Sequence, residues 1–242
     1  MNCRSVSKIE KIIEDNYMSD KTEKTTTSVK LNGFLEKNRK PVLITFIVVL
    51  VLVIGVIAAA VVVSTTSKKN LAAVEGFYYE MIDSSSSLED AEITKRATEC
   101  VEKLAPYTNK RGIAGVRANM LSAELTYALK DYAAAATYYD AAIAKGKKAY
   151  TAPICYYNKA ACYEELGKLS EAEEAYKVAA EFEDFELASH AYFSLGRVRE
   201  AQGNYEGAAE AYRTLNDKVS DDDWKNLAKT RLIELESKGK VQ

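Results

Sequence analysis

The 242-residue chain carries 33 Lys and Arg against 35 Asp and Glu, with one His, four Cys, three Pro and one Trp. A composition that is 48% hydrophobic and 28% charged excludes a disordered chain, and a net charge of −2 with a pI near 5.7 removes the global basic field that nucleic-acid binding needs. Three prolines disfavour a turn-rich β-sandwich, and a single His makes His-based metal sites and most Ser-His or Cys-His catalysis hard to assemble.

Charge is unevenly spread. Residues 1–40 hold nine basic and six acidic groups, and the remainder holds 24 and 29. The basic N-terminal segment is rich in Ser, Thr and Lys and reads as a flexible tail, with a short amphipathic helix allowed at Ile9, Ile12 and Ile13. Cys3 lies too far from the apolar run at 42–63, and on its wrong side, to be a lipid-modified cysteine.

Val42 to Val63 contains no charge, and Thr45 is its one polar side chain. At the α-helical rise this run reaches roughly 33 Å, the thickness of a bilayer core. In hydrocarbon every backbone polar group must be paired internally, so the run is predicted to be a helix, and residues 41–66 a retained transmembrane span with lipid contact through 42–63. The run is longer than a signal-peptide core and starts after a long polar segment. Lys30, Lys37, Arg39 and Lys40 precede it, whereas Lys68 and Lys69 come after it. This bias places the N-terminus in the cytoplasm and the C-terminal part outside it. Gly55 and Ala59 form a small-xxx-small pair through which two spans could pack as a homo-dimer, although two small residues among many apolar ones explain it better.

After residue 64 the apolar residues recur at intervals of three and four, without strand-like alternation. Leu71, Val74, Tyr78, Met81 and Ile82 make one helical stripe, interrupted at Ser84 to Ser87. Ile93, Ala97, Cys100, Val101 and Leu104 make a second, closed by Pro106. Nothing between Val63 and Asn70 breaks a helix, so the span can continue into the first stripe. Residues 67–111 are expected to form a degenerate helix pair that caps the N-terminal end of the helices at 112–242.

The segment 112–242 is periodic. When the turns at 129–132, 166–169 and 202–205 are aligned, Ala135, Ala172 and Ala208 share one column and Tyr139, Tyr176 and Tyr212 another, at intervals of 37 and 36. Ala123, Ala160 and Gly196 lie midway along each first helix, where a small residue lets the second helix approach. Gly167 and Gly203 suit the positive φ of a helix C-terminus, and Pro153 suits a first turn. The most complete copy reads Tyr156, Ala160, Tyr163, Gly167, Ala172, Tyr176 and Ala179. The pattern resembles the tetratricopeptide repeat over about residues 112–217, in three copies. It departs at Lys159, at Arg199 and at Lys130, which stands where the turn glycine is usual. The spacing exceeds the family's 34, so each inter-repeat connection is about two or three residues longer. Asp221 to Asp223 would start a capping helix carrying Trp224, Leu227, Ala228, Arg231, Leu232 and Leu235 on one face. The expected fold is all-α, one transmembrane helix followed by a solenoid of helix hairpins.

The resemblance places a peptide-binding concave surface on the first helices. Tyr127, Tyr157 and Phe193 are its aromatic anchors, surrounded by Met120, Glu124, Glu164, His190, Arg197 and Glu200. A solvated face with some exposed aromatics reads the same residues equally well. Family members that bind chaperone C-termini clamp the terminal carboxylate with Lys and Asn. The matching positions here are Met120, Glu124, Asn158, His190 and Ser194, of which Asn158 alone fits, and Glu124 would repel a carboxylate. Cys100, Cys155 and Cys162 read as buried small hydrophobes, and acidic runs such as Glu171, Glu173 and Glu174 as solvated faces. No catalytic, cofactor or metal motif stands out.

A cytoplasmic tail, one span and a solenoid beyond it resemble the ancillary subunit of the bacterial Sec translocon, including the approach to the span from Phe34 to Val49. That resemblance implies an inner-membrane protein with a periplasmic domain. It would be a non-catalytic scaffold of chaperone type, partnered by the translocon and by a membrane-anchored periplasmic chaperone or prolyl isomerase, passing exported clients onward. The alternative is an import-type receptor whose solenoid faces the cytosol. An enzyme using the solenoid as a docking arm finds no catalytic constellation in this sequence.

Overall fold

The computed structural model describes residues 29, 32–83, 88–147, 149–218 and 223–241. The expected helix at Ile9 to Ile13, Cys3, the serine break at 84–87, and Asp221 and Asp222 lie outside these residues. The described residues are all-α, and the chain divides into two compact units, 1–63 and 64–242.

In the first unit, helical turns occupy 32–37, so helix begins before the span and the flexible tail expected over 1–40 is helical at its end. Helix α1 (Arg39–Ile82) starts there, with Pro41 in its first turn, where a missing N–H costs nothing. The Thr45 hydroxyl donates to the Pro41 carbonyl at 2.9 Å, which satisfies the one polar side chain of the apolar run. Every residue from Leu43 to Val63 is exposed in the single chain.

The second unit begins with the remainder of α1. Its Val74 is fully buried in a cluster with Ala97, Cys100 and Leu104 of α2 (Asp90–Thr108) and Leu121 and Leu125 of α3 (Ile113–Ala128). Pro106 does not close α2, which runs on to Thr108. Proline's φ is helical, and the Thr108 hydroxyl donates to the Ala105 carbonyl at 2.9 Å, satisfying one terminal acceptor. Buried Asn119 donates to the Thr108 and Gly115 carbonyls at 2.8 and 2.7 Å, joining α2 to α3.

Three hairpins come next. Helices α3 and α4 (Tyr132–Lys145) form the first, α5 (Ala152–Glu165) and α6 (Leu169–Ala180) the second, and α7 (Ala188–Ala201) and α8 (Tyr205–Lys218) the third. Each helix packs against the next, and α9 (Asp223–Ser237) packs on α8 and α7 as the closing helix. The inter-helix turns are built alike. Lys130, Gly167 and Gly203 have φ of 63°, 69° and 78°. The amides of Asp131, Lys168 and Asn204 then reach back to the carbonyls of Thr126, Tyr163 and Arg199 at 2.8–2.9 Å, closing a Schellman motif each time.

The small-residue column explains the close packing. Ala123 and Ala160 are fully buried, and a Cβ on Gly196 would stand 2.4 Å from the Tyr212 ring. The departures from the repeat pattern are tied down. Lys159 pairs with Asp140 at 2.8 Å and lies over the Tyr156 and Tyr163 rings at 5.4 and 5.7 Å. Arg199 pairs with Glu173 at 2.8 Å and donates to the Gly207 carbonyl at 2.9 Å. Both long side chains bridge one hairpin to the next.

Candidate protein-binding groove

The first helices α3, α5 and α7, with α1 before them and α9 after them, carry the expected groove residues at matching register. Arg117, Ile154, His190 and Trp224 fall in one row, and Met120, Tyr157, Phe193 and Leu227 in the next, at intervals of 34 to 37. At the C-terminal end the row is a continuous aromatic surface. The His190 ring lies 4.3 Å from Trp224, and Phe193 lies 5.2 Å from Trp224 and 5.6 Å from Tyr212. His190 and Phe193 are therefore half-covered by the closing helix. Tyr157 meets Tyr176 edge-on at 5.3 Å, and Tyr127 meets Tyr132 edge-on at 5.1 Å. Tyr127, Tyr157 and Phe193 thus pack against the core on one edge and remain half-buried on the other.

Met120 is 6% exposed, within the core of the first hairpin, yet it lines one wall of a cavity of about 310 Å³ with Leu71, Ile113 and Ile154. The anchor at this position is a recess rather than a protruding side chain.

The charged residues are arranged as inter-repeat clamps. Glu164 Oε2 accepts from the Tyr176 hydroxyl at 2.6 Å and from Arg197 Nη2 at 2.7 Å. Glu200 Oε1 accepts from the Tyr212 hydroxyl at 2.6 Å, and Arg231 closes on both Glu200 oxygens. Arg231 of the closing helix thus plays for the third repeat the part Arg197 plays for the second. In the first repeat Tyr127 occupies the glutamate's position, and Tyr139 is paired with Asn158 instead. Burial is the largest cause raising the pKa of Tyr139, Tyr176 and Tyr212, and Glu164 and Glu200 reinforce it for the latter two. These tyrosines stay protonated donors. Glu164 and Glu200 are expected groove residues whose acceptor oxygens are engaged within the fold.

Glu124 differs. Among the described residues it makes no hydrogen bond and no ion pair, and burial raises its pKa, Arg117 opposing and Glu75 adding to the rise. Arg117 itself is held by Glu75, with Nε to Oε1 at 2.7 Å and Nη2 to Oε2 at 3.3 Å.

Cys100, Cys155 and Cys162 are buried free thiols, and burial pushes Cys155 up to about 12 and Cys162 up to about 11. No cluster of three or more His, Cys, Asp or Glu with metal-binding geometry occurs among the described residues. The clamps were missed by sequence reasoning. Their signal is there: Glu164 and Glu200 each precede a column tyrosine by twelve, and an Arg stands 33 or 31 residues after each.

The tetratricopeptide repeat family matches residues 120–184 and again residues 163–223. Together the two matches span residues 120–223. A tetratricopeptide-repeat-containing protein of Treponema pallidum (strain Nichols) is 32% identical over 133 residues, which is 55% of this chain and 56% of that protein. The chain therefore spans a little over half of that relative's length. A solved structure of nearly identical repeats of this kind, described for a kinesin light chain of Podosopora anserina, aligns over 72% of this chain and 88% of its own. Its TM-score is 0.53 at 13% identity, which shows a shared fold. The groove residues lie on α3, α5 and α7, the first helices of the three hairpins.

Proposed function

We propose that this chain is a membrane-anchored tetratricopeptide scaffold whose groove captures segments of other proteins outside the cytoplasm, assisting exported chains at the Sec translocon. The observation that carries the reading is one chain combining two features. One is a charge-free helical stretch exposed at every residue from Leu43 to Val63. The other is a solenoid whose first helices offer aromatic edges and a recess but no catalytic group. A surface of that apolarity is satisfied by lipid. The flanking Lys and Arg bias favours a cytoplasmic N-terminus and an extracytoplasmic solenoid. The tail-span-solenoid order supports the translocon's ancillary-subunit role, with a periplasmic chaperone or prolyl isomerase as the next partner. A homo-dimer through Gly55 and Ala59 is compatible with this arrangement.

The test is crosslinking in intact membranes with identification of the partners by mass spectrometry. Translocon subunits, periplasmic folding factors or exported chains on the solenoid support the reading. Exclusive capture of cytosolic proteins on the solenoid, or release of the protein by alkaline carbonate, overturns it.

A further inference from the structure

The first helix of the first repeat, with the helices on either side of it, carries a recess and a half-buried carboxylate that makes no hydrogen bond or ion pair among the described residues. The cavity of about 310 Å³ is bounded by Leu71 of α1, Ile113 and Met120 of α3, and Ile154 of α5. Tyr150, Thr151 and the Glu75–Arg117 ion pair complete its wall. Glu124 lies one helical turn beyond Met120, a separation of roughly 6 Å along the axis. It is close enough to Tyr78 of α1 and Cys155 of α5 for its charge to raise both.

The charge balance of the groove singles out Glu124. Arg117 is paired with Glu75, Arg197 with Glu164 and Arg231 with Glu200. Arg231 also pairs with Glu234, so each of the three guanidinium groups is already engaged, and Glu124 is left without a direct ion pair. Arg117 lies near Glu124 but is held by Glu75, and a partly desolvated carboxylate that no cation contacts directly gains from a partner that brings one. In an extended chain, side chains two residues apart share a face about 6.6 Å apart, close to the spacing between Met120 and Glu124.

We propose that the first repeat binds an extended polypeptide segment that places an apolar side chain in the Leu71–Ile113–Met120–Ile154 recess and a Lys or Arg, two residues away, on Glu124. This inference rests on the scaffold reading and specifies the partner's chemistry. It is the reverse of a carboxylate clamp: the groove selects basic segments rather than acidic termini.

The test is selection of a phage-displayed random dodecapeptide library on the full chain in lipid nanodiscs. The selected sequences are then resynthesised and titrated against wild type, Glu124→Gln and Ile113→Arg. Glu124→Gln is nearly isosteric, and Ile113 is 38% exposed, so both are expected to keep the wild-type circular dichroism spectrum. The inference predicts peptides enriched in Lys or Arg two residues from Leu, Ile, Met or Phe. It predicts affinity about tenfold weaker in Glu124→Gln, with a reduced salt dependence, and binding abolished in Ile113→Arg. Peptides without basic enrichment, or equal affinity in Glu124→Gln, overturn this inference and leave the scaffold reading standing. Failure to select any peptide overturns both.

Discussion

The Tyr212 hydroxyl donates to Glu200 Oε1 at 2.6 Å, and the same bond recurs one repeat earlier between Tyr176 and Glu164 at 2.6 Å. Each glutamate is also held by an arginine from the next helix in line, Arg197 or Arg231. One carboxylate thus joins the two helices of its own hairpin and fastens the succeeding helix. The glutamate is the shared acceptor, so it should matter more than either donor. Tyr212→Phe removes one neutral donor and is expected to cost about 1 kcal/mol, because Arg231 still satisfies Glu200. Glu200→Ala leaves a buried phenol unpaired and frees the closing helix, and is expected to cost about 2–3 kcal/mol. Urea denaturation of the two variants, followed by the double mutant, checks the order and the coupling.

The inter-helix turns give a prediction of opposite sign. Lys130 holds a φ of 63° that glycine adopts without strain, and the other two turns use Gly167 and Gly203. Lys130→Gly is expected to stabilise by about 0.5–1 kcal/mol, since relief of left-handed strain exceeds the added entropy of the unfolded chain. Helix α4 is capped by Asp131, whose side chain accepts from the Ala134 amide at 3.0 Å, whereas Lys168, at the N-cap of α6, provides no side-chain cap. Lys168→Asp supplies the missing acceptor and is expected to add about 1 kcal/mol. Thermal melts of the single and double variants should show additive increases, because the two turns belong to different hairpins.

Much of the fold was legible because it is repeated. Three copies of one hairpin put Ala135, Ala172 and Ala208, and Tyr139, Tyr176 and Tyr212, into register, and the helices fall where that register puts them. Features that occur once were harder to read. Pro106 looks like a stop, but Thr108 supplies a donor to the last turn and the helix continues past it. His190 and Phe193 look like open groove residues, because contact with Trp224 depends on how α9 folds back rather than on local pattern. Glu164 and Glu200 read as groove charges from their helix face alone, and their commitment to Tyr and Arg partners spans up to 33 residues of sequence. Met120 reads as a groove residue from its helix face, and its depth, as a cavity wall, is a property of the packed helices.

Glu124 couples the proposed binding to a stability cost with a defined pH signature. Burial holds its carboxyl above the ordinary carboxylate range, so the folded state binds this proton more readily than the unfolded state does. The ionised group therefore subtracts from stability at neutral pH. That penalty fades as pH falls through the folded pKa and is gone below the unfolded value. Glu124→Gln is expected to raise the Tm at neutral pH, with the difference vanishing near about pH 4. Melting curves for both proteins across that range check it, and a constant difference at every pH would reject it.

The central claim is an anchored solenoid facing away from the cytoplasm, and a thiol-labelling measurement in intact cells tests it most directly. In a Cys3→Ser background, Lys238→Cys places a thiol on an exposed side chain beyond the closing helix, while Cys100, Cys155 and Cys162 are buried and give a low background. The account predicts that a membrane-impermeant maleimide labels Cys at position 238 in intact cells or spheroplasts as fully as after lysis. Protection of that thiol until the cells are lysed would place the solenoid in the cytosol and contradict the account.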